Sequence, residues 1–218
     1  MVDFICKFLR KSGIPFHNPY RTANGGWNPL LSRKGAVTSS DRLYAFLFPD
    51  NDNPETTNVD RWSKESMARW VPLLGGVFKS GTKEMVKAGH FKLPQTLGDW
   101  RYFFKNESDL EACLRLDIDW FRKNVISSKR GVMEFPVEIA TKRGRDALQE
   151  RPRIIVGTIH SVKGGEADNV FVFPDVSYRA MKQEGNMDSI IRMFYVAMTR
   201  AKKSLTLCGP STRYAVEW

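Results

Sequence analysis

The amino-acid sequence predicts an α/β fold, a parallel sheet interrupted by a mainly helical insertion, and three observations carry that reading. Ile154-Ile155-Val156 is an apolar run that ends in polar residues and glycines, the mark of a buried strand entering a loop, and Asn169 to Phe173 supplies a second strand. A helical stripe of Ile191, Phe194, Tyr195, Met198 and Ala201 then leads into a further buried strand, Ser204 to Cys208, closed by Gly209-Pro210. Between Gly35 and about Lys129 the pattern is instead one of helices separated by polar loops, and strands reappear only after it.

Each element has its own justification. Val2 to Ser12 reads as a helix, with Phe4, Ile5, Phe8 and Leu9 at helical spacing and Gly13 as its stop, and Ile14-Pro15-Phe16 begins an extended piece. Ser40 or Asp41 is placed to cap a helix carrying Leu43, Phe46 and Leu47, and residues 49–54 form a turn-rich breaker. Ser63 starts a helix with Met67 and Trp70, and Asp109 to Phe121 keeps helical spacing throughout. Most tryptophans and phenylalanines of this stretch are therefore expected in a core. Phe135 to Ala140 is open to strand or helix, residues 141–145 read as a basic turn, and Asp188 is a candidate N-cap for the last helix, whose C-terminus Lys202 and Lys203 would suit.

Charge narrows the partners. Thirty-four Lys and Arg against twenty-four Asp and Glu give +10, which favours an anionic partner, nucleic acid before a membrane surface. Residues 1–35 alone hold six cations (positions 7, 10, 11, 21, 33 and 34) against Asp3. Cys6, Cys113 and Cys208 are odd in number and far apart, which argues against a disulfide framework or a metal knuckle and implies a reduced, cytoplasmic setting. His17, His90 and His160 show no metal-ligand spacing, and neither a membrane span nor a signal peptide is legible.

The loop after the first strand holds the chemistry. In open α/β sheets ligands gather at the carboxyl ends of strands, so Thr158, His160, Lys163 and Glu166 are placed for binding rather than packing. Val156 to Val170 reads VGTIHSVKGGEADNV, and FYVAMTRAKKSL follows from Phe194. This pair resembles motifs V and VI of the UvrD/Rep/PcrA-type superfamily 1 DNA helicases, T-x-H-x-x-K-G-x-E and Y-V-A-x-T-R-A, in the same order and separation.

The resemblance implies a RecA-like domain, a parallel sheet with helices on both faces, made of residues 1–35 and 130–218. Residues 36–129 would be the helical insertion that these helicases carry in their second RecA-like domain. It implies Arg200 as an arginine finger reaching the γ-phosphate, Glu166 on the nucleotide ribose with Gly165 allowing close approach, and Thr158 and His160 on single-stranded DNA. Lys163 either holds phosphate or braces the loop. Two positions depart from the family pattern: Gly165 stands where an apolar residue is usual, and Ala167 where a bulky one is.

A phosphate-cradling G-x-x-x-x-G-K-[ST] is not found in the sequence. The chain therefore resembles the C-terminal half of an ATP-dependent helicase, with ATP and Mg²⁺ bound mainly by an N-terminal helicase domain and no turnover expected from this chain alone. The resemblance also implies a part in DNA repair or replication. The rival readings are a stand-alone DNA-binding module of the same fold that never meets ATP, and the helicase-like part of a nuclease complex.

Overall fold

The computed structural model describes residues 1–19, 36–50, 61–178, 181 and 187–216. The cations at positions 21, 33 and 34 and most of the breaker at 49–54 lie outside the described residues. The chain divides into two compact units, one of Met1–Lys7, Asn18–Tyr20 and Ile155–Trp218, the other of Phe8–His17 and Arg21–Ile154.

The larger unit is helical. Helix α1 (Val2–Lys11) spans the first boundary and stops where expected, since Gly13 takes φ +62° and a Cβ there would stand 2.5 Å from the Glu138 carbonyl oxygen. A two-residue strand, β1 (Phe16–His17), follows. Helix α2 (Ser39–Leu47) is capped by Thr38 rather than by Ser40 or Asp41. Thr38 accepts from the Asp41 N–H while the Asp41 carboxylate accepts from the Thr38 N–H, a capping box that leaves Ser40 buried and donating to the Leu148 carbonyl at 2.7 Å. Helix α3 (Lys64–Trp70) is capped by Ser63, as its sequence predicts.

Helices α4 (Thr82–Ala88) and α5 (Leu97–Phe103) come next. The single helix expected over 109–121 is two, α6 (Glu107–Leu114) and α7 (Ile118–Asn124). Leu116 at φ +57° breaks the backbone and Asp117 caps the new start, yet Leu110, Cys113 and Phe121 are all buried, so the apolar spacing survives the break. Residues 127–143 form one helix, α8 (Ser127–Arg143), which absorbs both the ambiguous 135–140 stretch and most of the supposed basic turn. The boundary read between 129 and 130 thus falls inside a helix.

Most tryptophans and phenylalanines of this unit are core. Trp62, Trp70, Trp100, Phe46 and Phe121 are at most 2 % exposed, and Phe46 meets the rings of Trp62, Trp70, Trp120 and Phe121. Burying rings of this size is the largest apolar contribution a side chain can make.

The smaller unit carries the longer strands. A two-residue strand, β2 (Ile154–Ile155), lies at the boundary that precedes it. Strand β3 (Ala167–Val172) pairs in parallel with β4 (Ala201–Leu207), and helix α9 (Met187–Met198) lies in the connection, a β-α-β arrangement. Helix and strand are therefore mixed and the pairing is parallel, though only as a two-stranded sheet among the described residues.

Two sequence expectations are corrected here. The strands read as buried are exposed: Ile154 and Ile155 at 41 % and 60 %, Leu205 and Leu207 at 40 % and 44 %. Alternation explains the rest of β3, because Val172 packs on α9 with Val170 while Phe171 faces the other way at 65 % exposure. The stripe on α9 is also rotated. Its buried residues are Ile190, Phe194 and Ala197, whereas Ile191 and Tyr195 are exposed, and the helix begins at Met187, which puts Asp188 inside the first turn rather than at the cap.

Candidate nucleotide and nucleic-acid site

The loop from Val156 to Glu166 is built by its own hydrogen bonds. The Thr158 carbonyl accepts from the Ser161 and Val162 N–H groups, the Thr158 hydroxyl oxygen accepts from the Ser161 N–H at 3.2 Å, and the Ser161 hydroxyl donates to the Thr158 carbonyl at 2.8 Å. His160–Val162 is one 3-10 turn. Gly157 leaves room at its foot for the Ser161 hydroxyl, which a Cβ there would approach to 2.4 Å and displace. Gly164 takes φ +83°, and the Gly165 N–H closes the loop on the Val162 carbonyl.

Ile159 packs against the buried cluster of Val172, Ile190, Phe194 and Ala197, which anchors the turn to α9 while His160 and Lys163 stay exposed. Thr158 is half-buried, and part of its hydrogen-bonding capacity serves the turn.

Arg200 follows α9 directly. Its backbone N–H donates to the Ala197 carbonyl and its own carbonyl accepts from the Ala167 N–H at 3.1 Å, a bond that ties the end of the loop to the end of the helix. The guanidinium Nε–H donates to the Val196 carbonyl at 3.1 Å and one terminal nitrogen to the Thr199 hydroxyl at 3.3 Å. Among the described residues no carboxylate pairs with it, so the half-buried cation is oriented but not neutralised.

Glu166 does have a partner, Lys202 at 3.1 Å, and Lys203 reaches Asp168 at 2.7 Å. Sequence reasoning assigned both lysines to the helix C-terminus; they are instead the first residues of β4 after Ala201. Register explains their placement. Ala167 faces Ala201 and Asn169 faces Ser204, so β4 carries one extra residue at this point and the irregularity turns both lysines toward the carboxylates of the neighbouring strand. The sequence signal was a pair of acids and a pair of lysines at the starts of adjacent parallel strands, visible only once the pairing is known. All four side chains are more than half exposed, which limits each pair to at most about 1 kcal/mol.

The edge that gathers these groups also differs from expectation. Thr158, His160 and Lys163 do follow the carboxyl end of β2, but Glu166 and Arg200 stand at the amino ends of β3 and β4. The loop crosses from one kind of strand end to the other, and the Ala167 to Arg200 bond ties its end to the Arg200 backbone. Among the described residues no cluster of His, Cys, Asp or Glu could hold a metal ion, and no helix is long and apolar enough to cross a membrane.

Residues 119–211 match the family model described as UvrD-like helicase C-terminal domain. The match runs from α7 to just past β4 and takes in the whole loop, Arg200 and both lysines. No curated protein and no solved structure matches the chain.

Proposed function

From the match of residues 119–211 to the UvrD-like helicase C-terminal domain, we propose that this chain is the second motor domain of an ATP-dependent DNA helicase. The observation that carries the reading is Arg200, whose backbone is bonded on both sides of its Cα and whose guanidinium donates to the Val196 carbonyl and meets no carboxylate among the described residues. That is a fitting preparation for a residue that must present charge to another anion. Phosphoryl transfer concentrates negative charge on the transferred group, and a rigid cation there is worth roughly 10³ to 10⁵ in rate.

In this reading the nucleotide, ATP with Mg²⁺, is held mainly by an N-terminal helicase domain and supplies the phosphoryl group. Arg200 stabilises developing charge; Glu166 accepts from the ribose after exchanging its solvent-screened bond to Lys202, and Gly165 keeps the approach open. Thr158 and His160 contact single-stranded DNA, and Lys163 holds phosphate. The strand pair and α9 form part of a RecA-like sheet, with the helical unit as its insertion.

A second reading has its own support. Glu166 and the Thr158 hydroxyl both have partners within the chain, as a DNA-binding module that never meets nucleotide would allow. ATPase activity separates the two. Mixed with an N-terminal helicase domain bearing an intact phosphate loop, wild-type chain is expected to stimulate DNA-dependent hydrolysis and Arg200→Ala to lose about a thousandfold of it. Equal rates for the two proteins would eliminate the motor reading.

A further inference from the structure

The helical unit has a basic groove that shares no residue with the loop or with Arg200. On one side of α8 a cavity of about 320 Å³ is lined by Arg122, Lys123, Arg130 and Glu134 together with Val125, Met133 and Val137. A second, of about 430 Å³, is lined by Arg10, Lys11, Phe135, Glu134, Glu138 and Lys142. The two share Glu134. They are also joined through Glu138, whose carboxylate pairs with Arg122 of the first at 2.6 Å and with Lys142 of the second at 2.8 Å.

Six cations against two carboxylates leave this one face with +4 of the chain's +10. Several are fixed in place. Arg130 donates to the Val125 carbonyl, Lys142 to the Lys11 carbonyl, and the Arg10 guanidinium lies 5.6 Å from the centre of the Phe135 ring. The Arg122 Nε–H is buried and meets no acceptor among the described residues, an unsatisfied donor in a wall of positive charge.

We propose that this groove binds the phosphodiester backbone of a nucleic acid strand. A small anion would fill one cavity, whereas a run of phosphates answers both, with Arg and Lys spaced along α8 and its neighbours. Such contacts carry no sequence preference, and their strength falls with salt. The inference goes beyond the motor reading and does not depend on it.

Lys11→Gln with Lys123→Gln removes one charge from each cavity at side chains that bear no hydrogen bond among the described residues, so the fold is retained. Binding of a fluorescein-labelled oligothymidylate, followed by anisotropy across a salt series, is expected to weaken by about tenfold, and the slope of log K against log salt to become shallower by about two, one for each lysine removed. Glu134→Gln, which removes the shared acid, is expected to tighten binding by about twofold or more. His160→Ala in the same assay reports on the loop alone. Unchanged affinity and slope in the double variant, with His160→Ala weakened, would overturn the groove and leave the loop reading standing. Binding of inorganic phosphate with no groove-dependent binding of oligonucleotide would overturn it as well.

Discussion

The helical unit and the strand unit treat similar side chains in opposite ways. Phe46 in α2 is fully buried among four rings, and Phe171 in β3 is 65 % exposed. Leu43 is sealed at 0 %, and Leu207 stands open at 44 %. Hydrophobicity is the same within each pair; what differs is the number of layers. The helices pack on one another from several sides, so most large apolar side chains find a cover, while the β3–β4 pair has α9 on one face and Phe171, Leu205 and Leu207 lie open. Burial is a property of the second layer, and residue type only makes it favourable.

That contrast can be broken by mutation. The largest effect is expected from Phe46→Ala, which removes the ring at the centre of the aromatic cluster and should cost about 3–5 kcal/mol in urea unfolding. A loss under about 1 kcal/mol would mean that the cluster is loosely packed. Gly13→Ala is next, at about 2 kcal/mol or more, because the added methyl meets the Glu138 carbonyl in a backbone conformation that alanine resists. Thr38→Ala, which opens the capping box of α2, should cost about 1 kcal/mol.

A smaller effect depends on pH. The Lys142 hydrogen bond, with the charge of Arg122 adding to it against the opposing effect of burial, holds the Glu138 carboxyl below its usual 4.5. A carboxyl with a lowered folded pKa contributes stability above its unfolded value and loses it as pH falls through the folded one. Stability of the wild type should therefore decline below about pH 4.5, and Glu138→Gln should flatten that part of the curve. Parallel acid limbs in the two proteins would show that the triad of Arg122, Glu138 and Lys142 does not contribute. Smallest of all is Phe171→Ala, expected within about 0.5 kcal/mol of wild type. A cost near that of Phe46→Ala would show that the open face of the strand pair is covered in solution.

Legibility in the sequence followed the same division. Helix ends that depend on a local bond were readable, as Ser63 and Gly13 show, and the aromatic core of the helical unit followed from spacing alone. The reading of 109–121 as one helix failed because Leu116 and Asp117 redirect the backbone without disturbing the apolar rhythm. On α9 the stripe was misplaced by one position, since Ile190 and Ile191 are equally apolar and only the neighbour chooses between them. At the candidate site, the glycine-bounded loop and Arg200 were visible as motifs. The pairing of Glu166 with Lys202 was not, because it depends on a register irregularity between strands thirty-odd residues apart.

What the sequence determined by itself was local: the helix start at Ser63 and stop at Gly13, the glycine-bounded loop after Val156, the excess of positive charge and the two motif stretches that resemble those of a helicase C-terminal region. Tertiary structure alone decided which apolar faces are covered, that the loop ends beside Arg200 through a single backbone bond, and that scattered cations from α1, α7 and α8 converge on one groove. The reason is range. Turns and caps are set by bonds between residues three or four apart, whereas burial, strand register and the clustering of charge depend on chain segments that meet only after folding.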